Sequence, residues 1–378
     1  MKIINYLTTL SIILVVLFTA CPEEPDNELE CGAHEIEVDG DCECEDGYHW
    51  NEDGTKCLLD TTSHNFVWEI DTLGGYGSYL NDVAIIDENN VLVVGNIETD
   101  TMEYNAAHWN GSEWELMGIY SNTLDLYSIH YFSEDDIWVT SHCFPLHWNG
   151  IEWTLYHLNN MGMPGVCVGE AIWGTAPSNL YFVGDNGSIV HYDGVSFNQM
   201  ESGTDVDLLD IDGTPDGECV FAVGWNSTLP APCVVLEMTN GIWNTLYYTE
   251  GSLPQDGNVG WVWGVGVLQD TVYLPSSAGL WKYNFVNQDS ILINNTKSHM
   301  HQSAFKSVNV KSTNDIFFAG SGFKYIHFNG STYYYSQEIS DMYPQRALNG
   351  SDYNGNLVVM VGYFNWWEGA LVVKGYHE

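Results

Sequence analysis

Four short β-forming segments, separated by turn residues, recur along most of this 378-residue chain. The units follow one another every 40 to 52 residues, and a lone strand near the start of the chain matches the one that the last unit lacks. Together these observations predict an all-β fold, a seven-bladed β-propeller over residues 65–378, with a small disulfide-rich module in front of it.

The clearest copy of the repeat lies in residues 170–197. Its apolar runs, residues 171–173, 180–183 and 189–192, are rich in β-formers, and Pro, Asn, Asp and Gly separate them. Short strands with such turns are typical of an antiparallel meander. The Asn-Gly and Asp-Gly pairs suit tight hairpins, because both central residues of a type I′ turn need positive φ.

Two positions of the repeat define its period. The second strand of each unit is expected to end in Gly or Ser, at Gly95, Ser141, Gly184, Gly224, Ser276, Gly320 and Gly362. A third-strand motif of His, an aromatic residue, Asn or Asp, and Gly begins at His108, His147, His191 and His327. A propeller ring would hold these histidines apart, so we interpret them as repeat residues rather than as metal ligands.

The last unit has a third strand at residues 370–374 and no fourth strand after it. Residues 66–70 have the same pattern as the fourth strands at 114–116 and 153–155. We predict that this N-terminal strand completes the last blade, because closure of the ring removes an open sheet edge. The repeat resembles propeller repeats of many uncharacterised secreted bacterial proteins, which implies the fold and no particular activity.

The N-terminal segment has the pattern of a targeting signal, with Lys2 ahead of an apolar run at residues 7–18. The sequence Phe-Thr-Ala-Cys that ends at Cys21 resembles a bacterial lipobox, which implies cleavage and acylation of Cys21; the alternative is ordinary cleavage with Cys21 in a disulfide. The acidic tether 21–30 resembles the surface-export signal of Bacteroidetes lipoproteins. The alternative interpretation is a plain flexible linker. We expect an exported protein, lipid-anchored to the outer membrane and exposed at the cell surface.

A cysteine-rich module occupies residues 31–57 and a linker follows at 58–64. Its C-x-C-x-x-Gly-Tyr segment resembles the C-terminal half of an EGF-like domain. The resemblance implies that Cys31 pairs with Cys42 and Cys44 with Cys57. A unit this small needs such cross-links, because it cannot bury enough apolar surface. A zinc site is the alternative, and the C-x-C spacing disfavours it.

Four cysteines remain in the propeller region: Cys143, Cys167, Cys219 and Cys233. With Cys21 set aside the total is even, which favours disulfides in an exported chain. Cys219 and Cys233 fall in neighbouring strands of one blade, so a cross-strand bridge is expected. Cys143 and Cys167 fall in loops of adjacent blades and form the other expected pair.

The chain is strongly acidic, with 9 basic and 51 acidic residues and a net charge of −42. Nucleic acids and anionic membrane surfaces are therefore excluded as partners, apart from a membrane contact through the lipid anchor. Acidity of this kind keeps a protein soluble; dedicated Ca²⁺ binding is the alternative, and no other cofactor is indicated. We expect a monomer.

No nucleotide loop, hydrolase elbow or zinc-protease motif is present in the sequence, so no catalytic or metal-binding residue is predicted. Loops between second and third strands usually form the binding face of a propeller. Aromatic residues there and in a blade link are candidate contacts for a sugar or a protein, or else cover the rim as ordinary packing: Trp225, Trp261, Phe364, Trp366 and Trp367.

These residues favour a lipid-anchored, non-enzymatic cell-surface protein that recognises a glycan or an envelope or extracellular protein. Two alternatives stay open. One is an enzyme that acts on polysaccharide through loop carboxylates, and the other is a scaffold in an envelope complex.

Overall fold

The computed structural model describes residues 31–38, 40–45, 47–51, 54–228, 230–250, 259–293, 305–320, 324–335, 346–364 and 369–377. The chain divides into two compact units, one ending at Leu58 and the other beginning at Leu59. Within these ranges no helix is both long and apolar enough to cross a bilayer.

The first unit consists of two small hairpins. Strand β1 (Glu35–Val38) pairs with β2 (Asp41–Cys44), and β3 (Tyr48–Trp50) pairs with β4 (Cys57–Leu59). Disulfides join Cys31 to Cys42 and Cys44 to Cys57. The pairing that the sequence implied is thus the pairing in the structure, and it cross-links a unit with almost no apolar core.

The second unit is a seven-bladed β-propeller, as predicted. After β5 (Phe66–Leu73), blade one comprises β6 (Tyr79–Asp87), β7 (Asn90–Glu98), β8 (Glu103–Trp109) and β9 (Trp114–Met117). Blade two comprises β10 (Ile129–Ser133), β11 (Asp136–Ser141), β12 (Phe144–Trp148) and β13 (Trp153–Leu155). Blade three comprises β14 (Ala171–Ala176), β15 (Asn179–Val183), β16 (Ile189–Tyr192) and β17 (Phe197–Met200).

The remaining blades repeat this antiparallel order. Blade four comprises β18 (Leu208–Gly213), β19 (Cys219–Trp225), β20 (Cys233–Thr239) and β21 (Ile242–Thr249), and blade five β22 (Gly266–Leu268), β23 (Thr271–Ser276), β24 (Gly279–Asn284) and β25 (Asp289–Ile293). Blade six comprises β26 (Phe305–Ser312), β27 (Asp315–Gly320), β28 (Lys324–Phe328) and β29 (Tyr333–Tyr335). Two short 3-10 helices lie at Leu158–Met161 and Asp185–Gly187.

Blade seven joins the two ends of the propeller. It contains β30 (Arg346–Tyr353), β31 (Leu357–Phe364), β32 (Gly369–His377) and, as its outermost strand, β5. Residues Ala370 to His377 pair in antiparallel register with Leu73 to Phe66. The predicted closure of the ring by the N-terminal strand is therefore confirmed.

The core is divided among the interfaces between blades. The described residues form seven apolar clusters, and each cluster joins two neighbouring blades. Both faces of a middle strand are covered, so β31 is apolar on consecutive positions and buried along most of its length. This burial explains why the second strands were the easiest to recognise in the sequence.

The repeated glycines are required by a close backbone contact. A Cβ on Gly95, Gly184, Gly224 or Gly362 would lie 2.3, 2.4, 1.9 or 1.9 Å from a carbonyl oxygen of the innermost segment of the same blade. Side-chain atoms do not approach backbone atoms so closely. The glycine that defines the period of the repeat thus marks the point where the second strand meets the start of the innermost strand.

The repeated histidines bond to their own blades. Each Nε2 lies 2.7 to 3.0 Å from an Asn or Asp oxygen of the second strand, in the pairs His108–Asn90, His147–Asp136, His191–Asn179 and His327–Asp315. This recurring contact confirms that they are structural repeat residues.

One predicted disulfide is wrong. Cys143 and Cys167 are bonded, but Cys219 and Cys233 are free thiols. Cys219 lies opposite Thr239 and Cys233 lies opposite Trp225, so the two cysteines stand at opposite ends of one hairpin. At about 3.3 Å per residue they are roughly 20 Å apart, far beyond the reach of a disulfide.

The segment before β5, predicted as a linker, is docked on blade six. Nδ1 of His64 lies 2.9 Å from Nδ1 of the buried His327, and Nε2 of His64 lies 2.9 Å from Oγ1 of Thr332. Nδ2 of Asn314 donates to the carbonyl of Asp60. Burial and the neighbouring histidines lower the pKa of His64 to about 4.

A buried lysine holds the outer part of blade seven. Nζ of Lys374 lies 3.0 Å from Oε2 of Glu69, 3.3 Å from Oδ2 of Asp71 and 3.6 Å from the ring centroid of Trp109. The side chain is only 2 % exposed. Lys374 therefore links the closing strand β5 to blade one through a cation–π contact and two ion pairs.

Candidate functional site

A polar channel runs through the centre of the ring, lined by the innermost strands of all seven blades and enclosing about 500 Å³. Four aspartates on these strands tie neighbouring blades together. One oxygen of each accepts the next backbone N–H of its own strand. The other oxygen accepts an N–H from the following blade at 2.7 to 2.9 Å, in the pairs Asp82–Ile129, Asp210–Val265, Asp212–Val267 and Asp352–Ile85.

Protein surrounds these carboxylates, although the four aspartates stay partly exposed. Burial raises the pKa of Asp82 to about 6 and that of Asp212 to about 7, against the opposing effect of the N–H donors. Burial, with repulsion from Asp212 and Asp82, raises the pKa of Asp210 well above its usual value. The channel carboxylates therefore serve mainly to join the blades.

The channel opens into a second cavity of about 400 Å³, which we call the mouth cavity. Each of the seven blades contributes one residue from the beginning of its innermost strand or from the link just before it, in blade order Asn81, Tyr127, Glu170, Leu209, Trp263, Lys306 and Asn349. Blade four adds three residues at or near its strand ends, Asp207, Trp225 and Ser227. The cavity thus lies on the face that carries the loops between second and third strands.

Indole rings line one side of the mouth cavity. Trp225 ends the second strand of blade four and stacks on Trp261 with ring centroids 5.1 Å apart. Trp263 meets Trp225 edge-on at 6.3 Å. The link before blade five places Trp261 and Trp263 against Trp225, so Trp225 and Trp263 form an aromatic wall of the cavity and Trp261 packs behind Trp225.

Charged groups occupy the other sides of the cavity. Burial raises the pKa of Glu170. Repulsion from Asp185 and from Asp207 adds to this shift, and the positive charge of Lys306 opposes it. Oδ1 of Asp207 accepts the N–H of Asn186 at 2.8 Å. Lys306 is exposed in the cavity, but protein atoms flank its side chain. The desolvation that these atoms cause lowers the pKa of Lys306, and the carboxylate of Glu170 opposes this shift.

The predicted contact residues have different positions. Trp225 and Trp261 are brought together, and the indole of Trp225 lines the cavity. Phe364 was predicted as a loop residue, which is wrong: β31 runs on to Phe364, which is 6 % exposed in the core between blades six and seven. Trp366, Trp367 and Cys21 lie outside the described residues.

Sequence reasoning did not single out Glu170, Trp263 and Lys306, which reach the cavity from the starts of innermost strands or from the links just before them. For the channel, a signal was present in the polar residues of an apolar segment, Asp210 and Asp212 within β18. Among the described residues, one group of three side chains has metal-binding spacing, Cys143, Cys167 and Asp185. Its two cysteines are joined in a disulfide and cannot serve as thiolate ligands.

No protein-family model and no curated protein matches the sequence, whereas several solved structures are similar. One described as YCF48 bound to D1 peptide has a TM-score of 0.59 at 14% identity, over 84% of this chain and 98% of its own. The WD40 β-propeller domain of Doa1 has a TM-score of 0.58 at 12% identity, over 83% and 98%. YCF48 from Cyanidioschyzon merolae has a TM-score of 0.54 at 15% identity, over 82% and 98%. At such identities the likeness establishes the β-propeller fold alone.

Proposed function

We propose that this protein is a non-enzymatic binding protein that holds a peptide segment of an envelope or extracellular protein in the mouth cavity. The observation that carries the proposal is the cavity itself, to which all seven blades contribute and whose wall includes Trp225. A concave site with aromatic rings on one side and charged groups on the others is suited to binding. A similar structure is described as bound to a peptide, which supports a peptide ligand over a glycan.

The test is a binding screen with the full chain. Wild type, W225A and I242A are compared on a peptide library and a glycan array; Ile242 is 64 % exposed and begins β21 just after the turn between third and fourth strands, away from the cavity. We expect W225A to lose binding to peptides that wild type and I242A retain. Absence of any peptide binding by folded wild type would refute the proposal.

An enzyme that acts on polysaccharide is the second candidate, because Glu170 and Asp207 share the cavity and burial raises the pKa of Glu170. A raised pKa is what a general acid requires in glycoside hydrolysis. Incubation with a panel of polysaccharides distinguishes the candidates. Cleavage that is lost in E170Q would support the enzyme, whereas unchanged polysaccharides with wild type would favour the binding protein.

We also propose that the protein is anchored outside the cell through acylated Cys21, with the acidic tether and the cysteine-rich module between anchor and propeller. The lipobox-like sequence supports this. In cells fed a palmitate analogue, we expect label on wild type and none on C21S. A C233S variant, which changes a free thiol, serves as the control and should be labelled as wild type is.

A further inference from the structure

We infer that the segment held in the mouth cavity presents a lysine or arginine side chain, whose cation lies between the Glu170 carboxylate and the indole of Trp225. This inference rests on the proposed binding function and specifies its ligand. It follows from three properties of the cavity: a carboxylate without a partner, an aromatic wall, and an uneven distribution of charge.

The carboxylate of Glu170 has no hydrogen-bond donor and no ion pair in the described part of the chain, although its backbone N–H bonds to Val183. The other cavity carboxylate, on Asp207, already accepts the N–H of Asn186. A partly buried carboxylate without a donor is costly, and a cation with N–H donors would satisfy it. Glu170 is therefore the group in the cavity with the most to gain from a cationic ligand.

The aromatic wall suits the same ligand. The stacked pair of Trp225 and Trp261 and the edge-on Trp263 place electron-rich indole beside the carboxylates of the cavity. An ammonium or guanidinium group is attracted to an indole face, and its aliphatic stem packs on the same surface. Neutral sugars would use the rings but would leave the Glu170 charge uncompensated.

The charges of the cavity are separated around the ring. Glu170 belongs to blade three and Asp207 to blade four, whereas Lys306 belongs to blade six. Nζ of Lys306 is 3.4 Å from Oδ1 of Asn349 on blade seven, and it forms no ion pair within the described ranges. A ligand cation is therefore drawn to blades three and four and repelled from blade six. The net charge of −42 further steers cationic partners towards the protein.

The experiment is a double-mutant cycle on a peptide selected from a synthetic library with the full-length protein. Each selected peptide is remade with its basic residue replaced by glutamine, and both forms are titrated against wild type, E170Q, K306M and E152Q. Glu152 is exposed and lies on a turn between third and fourth strands, so E152Q changes the net charge as E170Q does, but far from the cavity.

We expect selected peptides to contain lysine or arginine and to bind about tenfold more weakly to E170Q, and replacement of the basic residue should cost less binding in E170Q than in wild type. Binding to K306M should be about two- to fivefold tighter, because a repelling charge is removed, and E152Q should bind as wild type does. Two results would overturn the inference and leave the proposed function standing. One is that the selected peptides contain no basic residue. The other is that replacing the basic residue of the peptide by glutamine weakens binding equally in wild type and E170Q. Failure to select any peptide would instead count against the proposed function.

Discussion

Replacing Asp212 by asparagine should make the stability of this protein less sensitive to pH. Protein surrounds the Asp212 carboxylate in the channel, and burial raises its pKa from 3.8 to about 7. Because this folded-state pKa lies above the unfolded value, the folded protein binds more protons than the unfolded chain between these pH values. Stability from this group therefore falls as the pH rises towards 7 and is fully lost above it.

The size of the effect follows from the shift. A displacement of about three pKa units corresponds to about 4 kcal/mol over the whole titration, and about 3 kcal/mol of that falls between pH 5 and pH 8. Asp212 is partly exposed, and solvent screening makes this an upper value; we expect about 1 to 3 kcal/mol. Asparagine remains neutral throughout, so the D212N variant should lack this contribution.

The assay is urea unfolding of wild type and D212N at several pH values from 5 to 8, a range above the sequence pI of about 4.1. The difference in free energy of unfolding between the two should shift in favour of D212N as the pH rises. D193N is the control, because hydrogen bonds lower the pKa of the exposed Asp193 to about 2 and its titration is complete below pH 5. Parallel curves for wild type and D212N would refute the reasoning and would mean that the N–H donors outweigh burial.

Three further predictions concern contacts in the fold. Lys374→Met should cost about 2 kcal/mol in urea unfolding at pH 7, because Glu69 and Asp71 lose their buried counter-charge; unchanged stability would contradict this. Gly224→Ala should cost about 3 kcal/mol or more in the same assay, since its Cβ meets a carbonyl oxygen at 1.9 Å, whereas Gly75→Ala, with 3.8 Å of space, should be tolerated. The folded-state pKa of His64, lowered to about 4, lies below the unfolded value of 6.5, so stability from its docked segment should be lost as the pH falls from 6.5 towards 4. The hydrogen-exchange protection factors of residues 60–65, which are corrected for the intrinsic pH dependence of exchange, should then fall in wild type and change less with pH in H64Q; equal pH dependence in both would exclude His64 as the cause.

The fold could be predicted because its information is repeated. Seven versions of one strand pattern allow a weak signal in one blade, such as the short β22, to be read from its position in the series. Closure was predictable for the same reason, since β5 has the pattern of a fourth strand. What the repeat does not contain is register, and for that reason Cys219 and Cys233 were wrongly paired.

The mouth cavity could be predicted only in part. Trp225 is visible as an aromatic residue beside an irregular loop, but Glu170, Trp263 and Lys306 occupy positions where most blades have different residues. A repeat is recognised by the residues that its copies have in common. The residues that differ between blades are therefore overlooked, although they determine the chemistry of the cavity. Phe364 shows the opposite error, because burial between blades, not loop composition, decides its position.

The pairing of β32 with β5 also orders the folding of the chain in time. Nε2 of His377 bonds to the carbonyl of Ser63 across 314 positions of sequence, so blade seven forms only after both ends of the propeller are available. Contacts of such separation close slowly, because the loop entropy is lost before the contact is gained. Blades one to six are local hairpin meanders that can assemble earlier, leaving an open ring with one unpaired edge. We therefore expect ring closure to be the last step of folding, because it requires the C-terminal strand β32 to pair with β5.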